Sequence, residues 1–260
     1  MRIAVITLSR EGAILANLLT QAIPESDIYL HEKVESAGQA ERFSSIIELT
    51  ASFFGNYEGL VYLAPCGVVV RAVAPCLKHK TADPAVVVVD AGGRFAVSLL
   101  SGHEGGANDL AVTVANILGA EPVISTTTEA LKTLIVGIGC RRGTAAERIV
   151  SAVKTALEDA ALPLDEVRLL ASADLKADEA GLVEAARILR IPLRFIASDE
   201  IRSLARDFER SDFVASKVNL PAVAEPAALL AGRRTRLVLP KTICDGITVA
   251  VARENCLWWE

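Results

Sequence analysis

The sequence predicts an α/β protein built of two layered α/β domains with mostly parallel sheets joined by a short linker. Three observations carry that expectation. Short apolar runs rich in Val and Ile alternate with longer segments of helical period, the pattern of strands covered on both faces. The pattern resets at Leu134-Ile135-Val136 after a brief polar stretch. The chain's 260 residues, 52% of them hydrophobic, supply enough apolar surface for two cores.

Taken in order, Ile3–Leu8 reads as a strand, Gly12–Gln21 as a helix and Ile28–Leu30 as a strand. Ala40–Phe54 then reads as a helix, Gly59–Ala64 as a strand and Gly67–Leu77 as a helix. Ala85–Asp90 and Arg94–Leu100 flank Ala91-Gly92-Gly93, which predicts a hairpin that inserts one antiparallel strand. A helix from about Ala107 and the strand Pro122–Ser125 complete the first domain, residues 1–130.

The second domain, residues 134–260, opens on a strand that runs into Gly137-Ile138-Gly139-Cys140-Arg141-Arg142-Gly143-Thr144 and the helix Ala145–Ala160. Val167–Ala171, the helix Ala177–Leu189 ended by Ile191-Pro192, the strand Leu193–Ile196 and a helix near Ser198-Asp199 follow. Last come a helix from Glu225 to Ala231, the basic patch Arg233-Arg234-Arg236, and strands Leu237–Leu239 and Ile247–Ala252 about a loop Pro240–Gly246. The boundary falls at Thr128–Leu134, and so short a link implies domains in contact with a cleft between them.

Composition excludes several classes of function. A net charge of −5 and a pI near 5.4 argue against nucleic-acid binding. The first residues lack the basic start, long apolar core and cleavage site of a secretory signal. No run reaches the roughly 18–20 apolar residues a membrane-spanning helix needs, so a soluble cytoplasmic protein without membrane partners is expected. Cys66, Cys76, Cys140, Cys244 and Cys256 form no CxxC pair and have no histidine at zinc spacing, so reduced thiols and no metal site are expected.

Three segments are candidates for chemistry. In Ser101-Gly102-His103-Glu104-Gly105-Gly106-Ala107-Asn108-Asp109, one of only three histidines stands among glycines between a strand and a helix. An imidazole titrates near neutral pH, so His103 could serve as general acid or base; it could equally be a loop histidine bonded to a carbonyl. Ser101, Glu104 and Asn108 complete the catalytic candidates. Asn108 and Asp109 also fit simple helix-start roles, and Glu104 a solvated one.

The loop 137–144 resembles an anion-binding turn, in which glycines let the backbone approach a ligand and the next helix offers free N–H groups. It lacks the GKS or GKT ending of a P-loop, and neither Asp159 nor Asp165 is placed for a dinucleotide ribose. Cys140 could have a lowered pKa there or be a small buried residue. The run Arg71, Lys78, His79, Lys80, Thr81, Ala82, Asp83 gathers cations at a helix end; a solvated face and a carboxylate clamp oriented by Asp83 both fit.

Two stretches carry a family resemblance. Residues 59–130, with PCGVVVRAVAPCLKHKTADPAVVVVDAGGRFAVSLLSGHEGGANDLA, resemble the N-terminal domain of the cobalt-precorrin-5A hydrolases of anaerobic cobalamin biosynthesis. Residues 134–252, from VGIGCRRGT through ASADLKADEAGLVEAARILRIPLRFIASDEI to LVLPKTICDGITVAVAR, are similar to that family's C-terminal domain. The resemblance implies hydrolytic opening of the δ-lactone of a cobalt-bound corrinoid, with release of acetaldehyde. It implies no dissociable cofactor, because the cobalt belongs to the substrate, and a small-molecule corrinoid as the binding partner.

With that substrate in mind, the candidate binding residues are Gly67, Arg71, Lys78, Lys80, Asp83, Gly102, Gly105, Gly106, Gly137, Gly139, Cys140, Arg141, Arg142, Gly143, Thr144 and Lys241. The expected placement is the interdomain cleft, with His103 facing the lactone. Family members carry a middle segment, whereas here Thr126-Thr127-Thr128-Glu129-Ala130 leads within four residues to the second domain. The C-terminal domain also resembles a small protein of the aerobic pathway, which keeps a non-catalytic corrinoid carrier as the second reading. A homodimer and transient contacts with neighbouring pathway enzymes stay open.

Overall fold

The computed structural model describes residues 1–35, 40–204 and 223–255. Cys256 lies outside them. The chain divides into two compact units, Met1–Thr126 and Thr127–Glu260.

In the first unit the strands β1 (Ile3–Thr7), β2 (Ser26–His31), β3 (Glu41–Phe43), β4 (Gly59–Leu63), β5 (Ala85–Val89), β6 (Phe95–Leu100) and β7 (Glu121–Val123) form one sheet. Its order is β3-β2-β1-β4-β5-β6-β7. Every neighbouring pair is parallel except β5 and β6, where Val86 faces Leu100 and Val89 faces Ala96. The Gly92-Gly93 hairpin reverses the chain as expected, but β7 keeps the direction of β6, so two strands rather than one run against the rest of the sheet.

Alternation along the strands separates two cores. Ile3, Val5, Val61, Val87 and Val89 meet α1 (Arg10–Ala22) and α4 (Ala107–Leu118) through Ala16, Leu19, Ala111 and Val114. Ala4, Ile6, Leu60, Tyr62, Val86 and Val88 meet Phe53 of α2 (Ile46–Phe53), and Val69 and Val73 of α3 (Cys66–Val73). At about 25 cal/mol per Å² of apolar surface, these layers supply the main stabilising term.

One expectation fails here. Ala40–Phe54 is not a single helix: Glu41–Phe43 pairs in parallel with Tyr29–His31, and Ser45 then caps α2 by accepting from the Glu48 N–H at 3.3 Å. The free edge of β2 takes residues whose local pattern alone favoured continuing the helix. The Gly67–Leu77 helix is also shorter, α3 ending at Val73 and giving way to a 3-10 turn over Ala74–Cys76.

The second unit opens on a short helix, α5 (Thr127–Ala130), ahead of its sheet. Strands β8 (Leu134–Gly139), β9 (Val167–Ala173) and β10 (Leu193–Ile196) run parallel, and β11 (Thr235–Cys244) and β12 (Ile247–Glu254) add antiparallel, in the order β10-β9-β8-β12-β11. One face carries α6 (Ala146–Asp159) and α7 (Ala180–Leu189), packed through Ile149, Val153 and Leu182 onto Leu134, Val136 and Ile138. The other carries α8 (Ser198–Leu204) and α9 (Ala224–Leu230), packed through Ile201, Ala227 and Ala228 onto Ile135 and Leu169.

The loop expected over Pro240–Gly246 is instead mostly strand. β11 continues to Cys244, and the turn is only Asp245-Gly246, both at positive φ, 50° and 75°. An Asp-Gly pair suits the tight turn whose twist matches a hairpin, and Pro240 is tolerated because β11 is an edge strand with register shifts on either side of Leu239.

Candidate functional site

The antiparallel course of β6 decides where the His103 loop stands. β6 returns to the sheet edge at which β1, β4 and β5 begin, so residues 101–106 emerge beside residues 78–83, which lead into β5. Two segments singled out separately in the sequence meet there. The Lys80 ammonium and the Glu104 carboxylate form an ion pair at 2.6 Å. A Cβ added at Gly105 would come 2.4 Å from Ser101 Cβ and 3.3 Å from the Asp83 carbonyl oxygen. Gly105 is thus a close-approach position.

Each loop is shaped from within. The Asp83 carboxylate accepts from the Lys78 N–H at 3.1 Å to both oxygens, and His79 Nδ1 lies 2.8 Å from Thr81 Oγ1. Ser101 adopts φ 57°, unusual for a residue with a Cβ, and its carbonyl accepts from both Gly105 and Ala107 N–H at 3.1 Å. Gly102 O accepts from Asn108 N–H at 3.0 Å. Gly106, at φ 82°, caps α4 without a side chain.

The Gly105 N–H is therefore spent inside the loop, whereas the Gly106 N–H takes no part in the loop's backbone hydrogen bonds. His103 is exposed, and its ring makes no hydrogen bond among the described residues. The hydrogen bond from Lys80, the Glu104 N–H and the nearby Lys80 charge hold the Glu104 carboxyl below its ordinary range. Asn108, a catalytic candidate from the sequence, is 5% exposed. Its Oδ1 accepts from Ser98 Oγ at 2.8 Å, and its Nδ2 donates to Thr126 Oγ1 at 3.0 Å. It supports the loop from beneath.

Gly67 and Arg71 do not join this group. Gly67 follows β4 and so lies at the opposite sheet edge, and Arg71 folds back to donate to its carbonyl at 2.7 Å.

In the second unit the turn after β8 is already engaged. Arg142 pairs with Asp178 at 2.9 Å, the Gly143 N–H donates to Glu179 Oε1 at 2.9 Å, and Thr144 Oγ1 donates to the Arg141 carbonyl at 2.7 Å. Glu179 is buried and lies 3.8 Å from the Lys176 ammonium. At Gly143 the N–H is not open to a ligand, because a carboxylate of the chain itself accepts from it. Neither acid was singled out in the sequence; the signal was the DE pair immediately before α7.

Other glycines and side chains here have packing roles. Gly137 is buried in β8, where a Cβ would come 1.8 Å from the Ala224 carbonyl oxygen, so it faces α9 rather than a ligand. At Gly139 a Cβ would lie 2.3 Å from Thr248 Oγ1. Burial pushes the Cys140 thiol above its ordinary value despite the nearby Lys176 charge, which favours the small buried residue over a reactive thiolate. Lys241 lies in β11, its N–H donating to Glu225 Oε1 at 2.9 Å.

Among the described residues no group of three or more His, Cys, Asp or Glu could hold a metal ion, and no helix is long and apolar enough to cross a membrane. A surface hollow of about 380 Å³, lined by Glu32, Arg42, Ser44, Ser45, Glu48 and Ser52 beside β3, includes none of the candidate residues.

Two family models match in the order the fold suggests: cobalamin synthesis G N-terminal over residues 48–129, and cobalamin synthesis G C-terminus over residues 134–252. The chain belongs to the cobalamin synthesis G family. Among the relatives of this family member, a protein of Priestia megaterium named cobalt-precorrin-5A hydrolase is 27% identical, the match covering 96% of this chain and 94% of the relative. That alignment spans 352 positions, more than the 260 residues present here, so the relative carries residues with no counterpart in this chain. The Salmonella typhimurium protein of the same name is 25% identical over 88% of this chain and 91% of its own length. Protein CobE of Sinorhizobium sp is 34% identical over 48% of this chain and 83% of its own length.

Proposed function

We propose that this cobalamin synthesis G protein is a cobalt-precorrin-5A hydrolase that opens the δ-lactone of the corrinoid ring and releases acetaldehyde to give cobalt-precorrin-5B. One observation carries the reading. Both family halves stand in order on one chain, and relatives bearing that name are similar across nearly all of it.

Lactone hydrolysis needs a base for water and a donor for the oxygen that becomes charged. In this reading His103 takes a proton from water as the water oxygen bonds to the acyl carbon, and the Gly106 N–H donates to the oxyanion. The acyl–oxygen bond then breaks to leave a carboxylic acid and an alkoxide on the bridging carbon. As that oxygen forms the C=O bond of acetaldehyde, the carbon–carbon bond to the ring breaks and its electron pair passes into the conjugated macrocycle, which the proton held by His103 can neutralise. Lys78 and Lys80 hold substrate carboxylates, with Glu104 orienting Lys80. The cobalt arrives with the substrate and no organic cofactor is required.

A second reading is a carrier that binds the corrinoid without turning it over; the match to protein CobE, over 48% of this chain and 83% of that protein, shows that part of this fold occurs without the rest. Incubating the purified protein with cobalt-precorrin-5A, assaying acetaldehyde and weighing the macrocycle by mass spectrometry separates the two. Acetaldehyde with the matching mass loss is expected. Retention of an unchanged corrinoid would make the carrier reading the better one, and binding of ATP or GTP without corrinoid would point to a nucleotide-dependent regulator instead.

A further inference from the structure

We propose that Ser98, Asn108 and Thr126 are positioning residues that hold the 101–106 loop in one conformation and thereby fix the place of the His103 imidazole. The inference rests on the reading of His103 as the group that activates water.

The three side chains form a continuous chain of hydrogen bonds beneath the loop. Ser98 Oγ, from β6, donates to Asn108 Oδ1 at 2.8 Å, and Asn108 Nδ2, from the first turn of α4, donates to Thr126 Oγ1 at 3.0 Å. Ser98 and Asn108 are 8% and 5% exposed. Buried polar groups matched to one another rigidify what they touch, whereas one left unmatched is costly.

What they touch is the backbone that carries His103. A Cβ at Gly102 would come 2.6 Å from Thr126 Cγ2 and 2.8 Å from Asn108 Oδ1, so the Gly102 backbone rests directly on two members of the chain. On one side of it Ser101 is held at φ 57°. A residue with a Cβ stays in that region only when its surroundings over-determine it, and such positions cluster at functional sites. The restraints are visible: two N–H groups on Ser101 O, one on Gly102 O, and the side-chain network below.

An ordinary helix cap does not account for Asn108. The cap of α4 is Gly106, with no side-chain hydrogen bond to the helix, and the Asn108 amide turns inward to Ser98 and Thr126. The three residues therefore connect the end of β6, the start of α4 and the last residue of the first unit. His103 follows the backbone position that rests on Asn108 and Thr126, with Ser98 holding Asn108.

The test compares Thr126→Val, which keeps shape and loses the hydroxyl, with Thr126→Ser, which keeps the hydroxyl. Turnover of cobalt-precorrin-5A should fall roughly 10–100-fold in the Val variant with KM within about twofold, because displacement of a reacting group by about 1 Å costs on that order. The Ser variant should return it to within about threefold, and only the Val variant should alter the acid limb of the kcat–pH profile.

A second readout is independent of turnover: the rate at which diethyl pyrocarbonate modifies His103, located by mass spectrometry, with His31 and His79 as internal references. The Val variant should change the His103 rate alone. If unmodified protein releases no acetaldehyde, the hydrolase reading fails and the His103 rate decides this one by itself. If Thr126→Val does not fold by circular dichroism, Ser98→Ala takes its place. An unchanged His103 rate in the folded variant, or equal loss in Val and Ser variants, overturns the proposal.

Discussion

His103 stands on a loop whose other polar groups are largely paired, so its replacement has a narrow expected effect. His103→Ala should lower turnover roughly 10²–10⁴-fold with little loss of corrinoid affinity, since a general base acts on the transition state rather than on binding. Acetaldehyde release unchanged in the variant would remove His103 from the chemistry. The turn at 141–144 gives a different expectation. Arg142 is 69% exposed and paired with Asp178, and exposed ion pairs contribute little. Changing Arg141 and Arg142 together to Ala should weaken corrinoid binding about fivefold or less. A calorimetric loss of a hundredfold or more would mean that these cations meet the ligand out of water.

Among the elements, the β5–β6 hairpin depends on one carboxylate. Asp90 accepts from the N–H groups of Gly92, Arg94 and Phe95 at 3.1, 2.8 and 2.9 Å and from Arg94 Nε at 3.1 Å. Burial alone would raise its pKa, but the hydrogen bonds from Phe95, Arg94 and Gly92 outweigh that and hold the carboxyl below its ordinary value. A carboxyl depressed on folding contributes its full stability above the unfolded value of about 3.9 and loses it as pH falls through the lower folded value. Asp90→Ala should cost about 1–3 kcal/mol at pH 7. Urea melts of parent and variant should converge as pH drops below about 3.9; a gap that stays constant down to acid pH would exclude this role. The hairpin also aims β6, so the same variant should loosen the loop at 101–106.

At the scale of the molecule, each unit closes its own sheet between two helical layers, and damage should stay where it is made. Gly137→Ala drives a Cβ to 1.8 Å from the Ala224 carbonyl, and such overpacking costs roughly 1–3 kcal/mol or more. Hydrogen exchange should speed up across β8, β12 and α9 while β1, β4 and β5 keep their protection. Equal loss in both units would mean that they unfold as one cooperative body.

The sequence by itself determined the order of most strands and helices, the reversal of the chain at Gly92-Gly93 and the family halves. These follow from patterns a few residues long: apolar period, turn glycines, local motifs. It mistook Glu41–Phe43 for helix and Pro240–Cys244 for loop because an edge strand is stabilised by its neighbour rather than by its own pattern. Only the tertiary structure brought Lys80 to Glu104, set Asp178 and Glu179 on the 142–143 turn, and put Asn108 and Thr126 under Gly102. Those partners lie tens of residues apart or point inward from elements chosen for other reasons. A hydrogen bond acts through space at about 3 Å, and which groups come that close is fixed by strand order and direction, a property of the folded sheet and not of any segment in it.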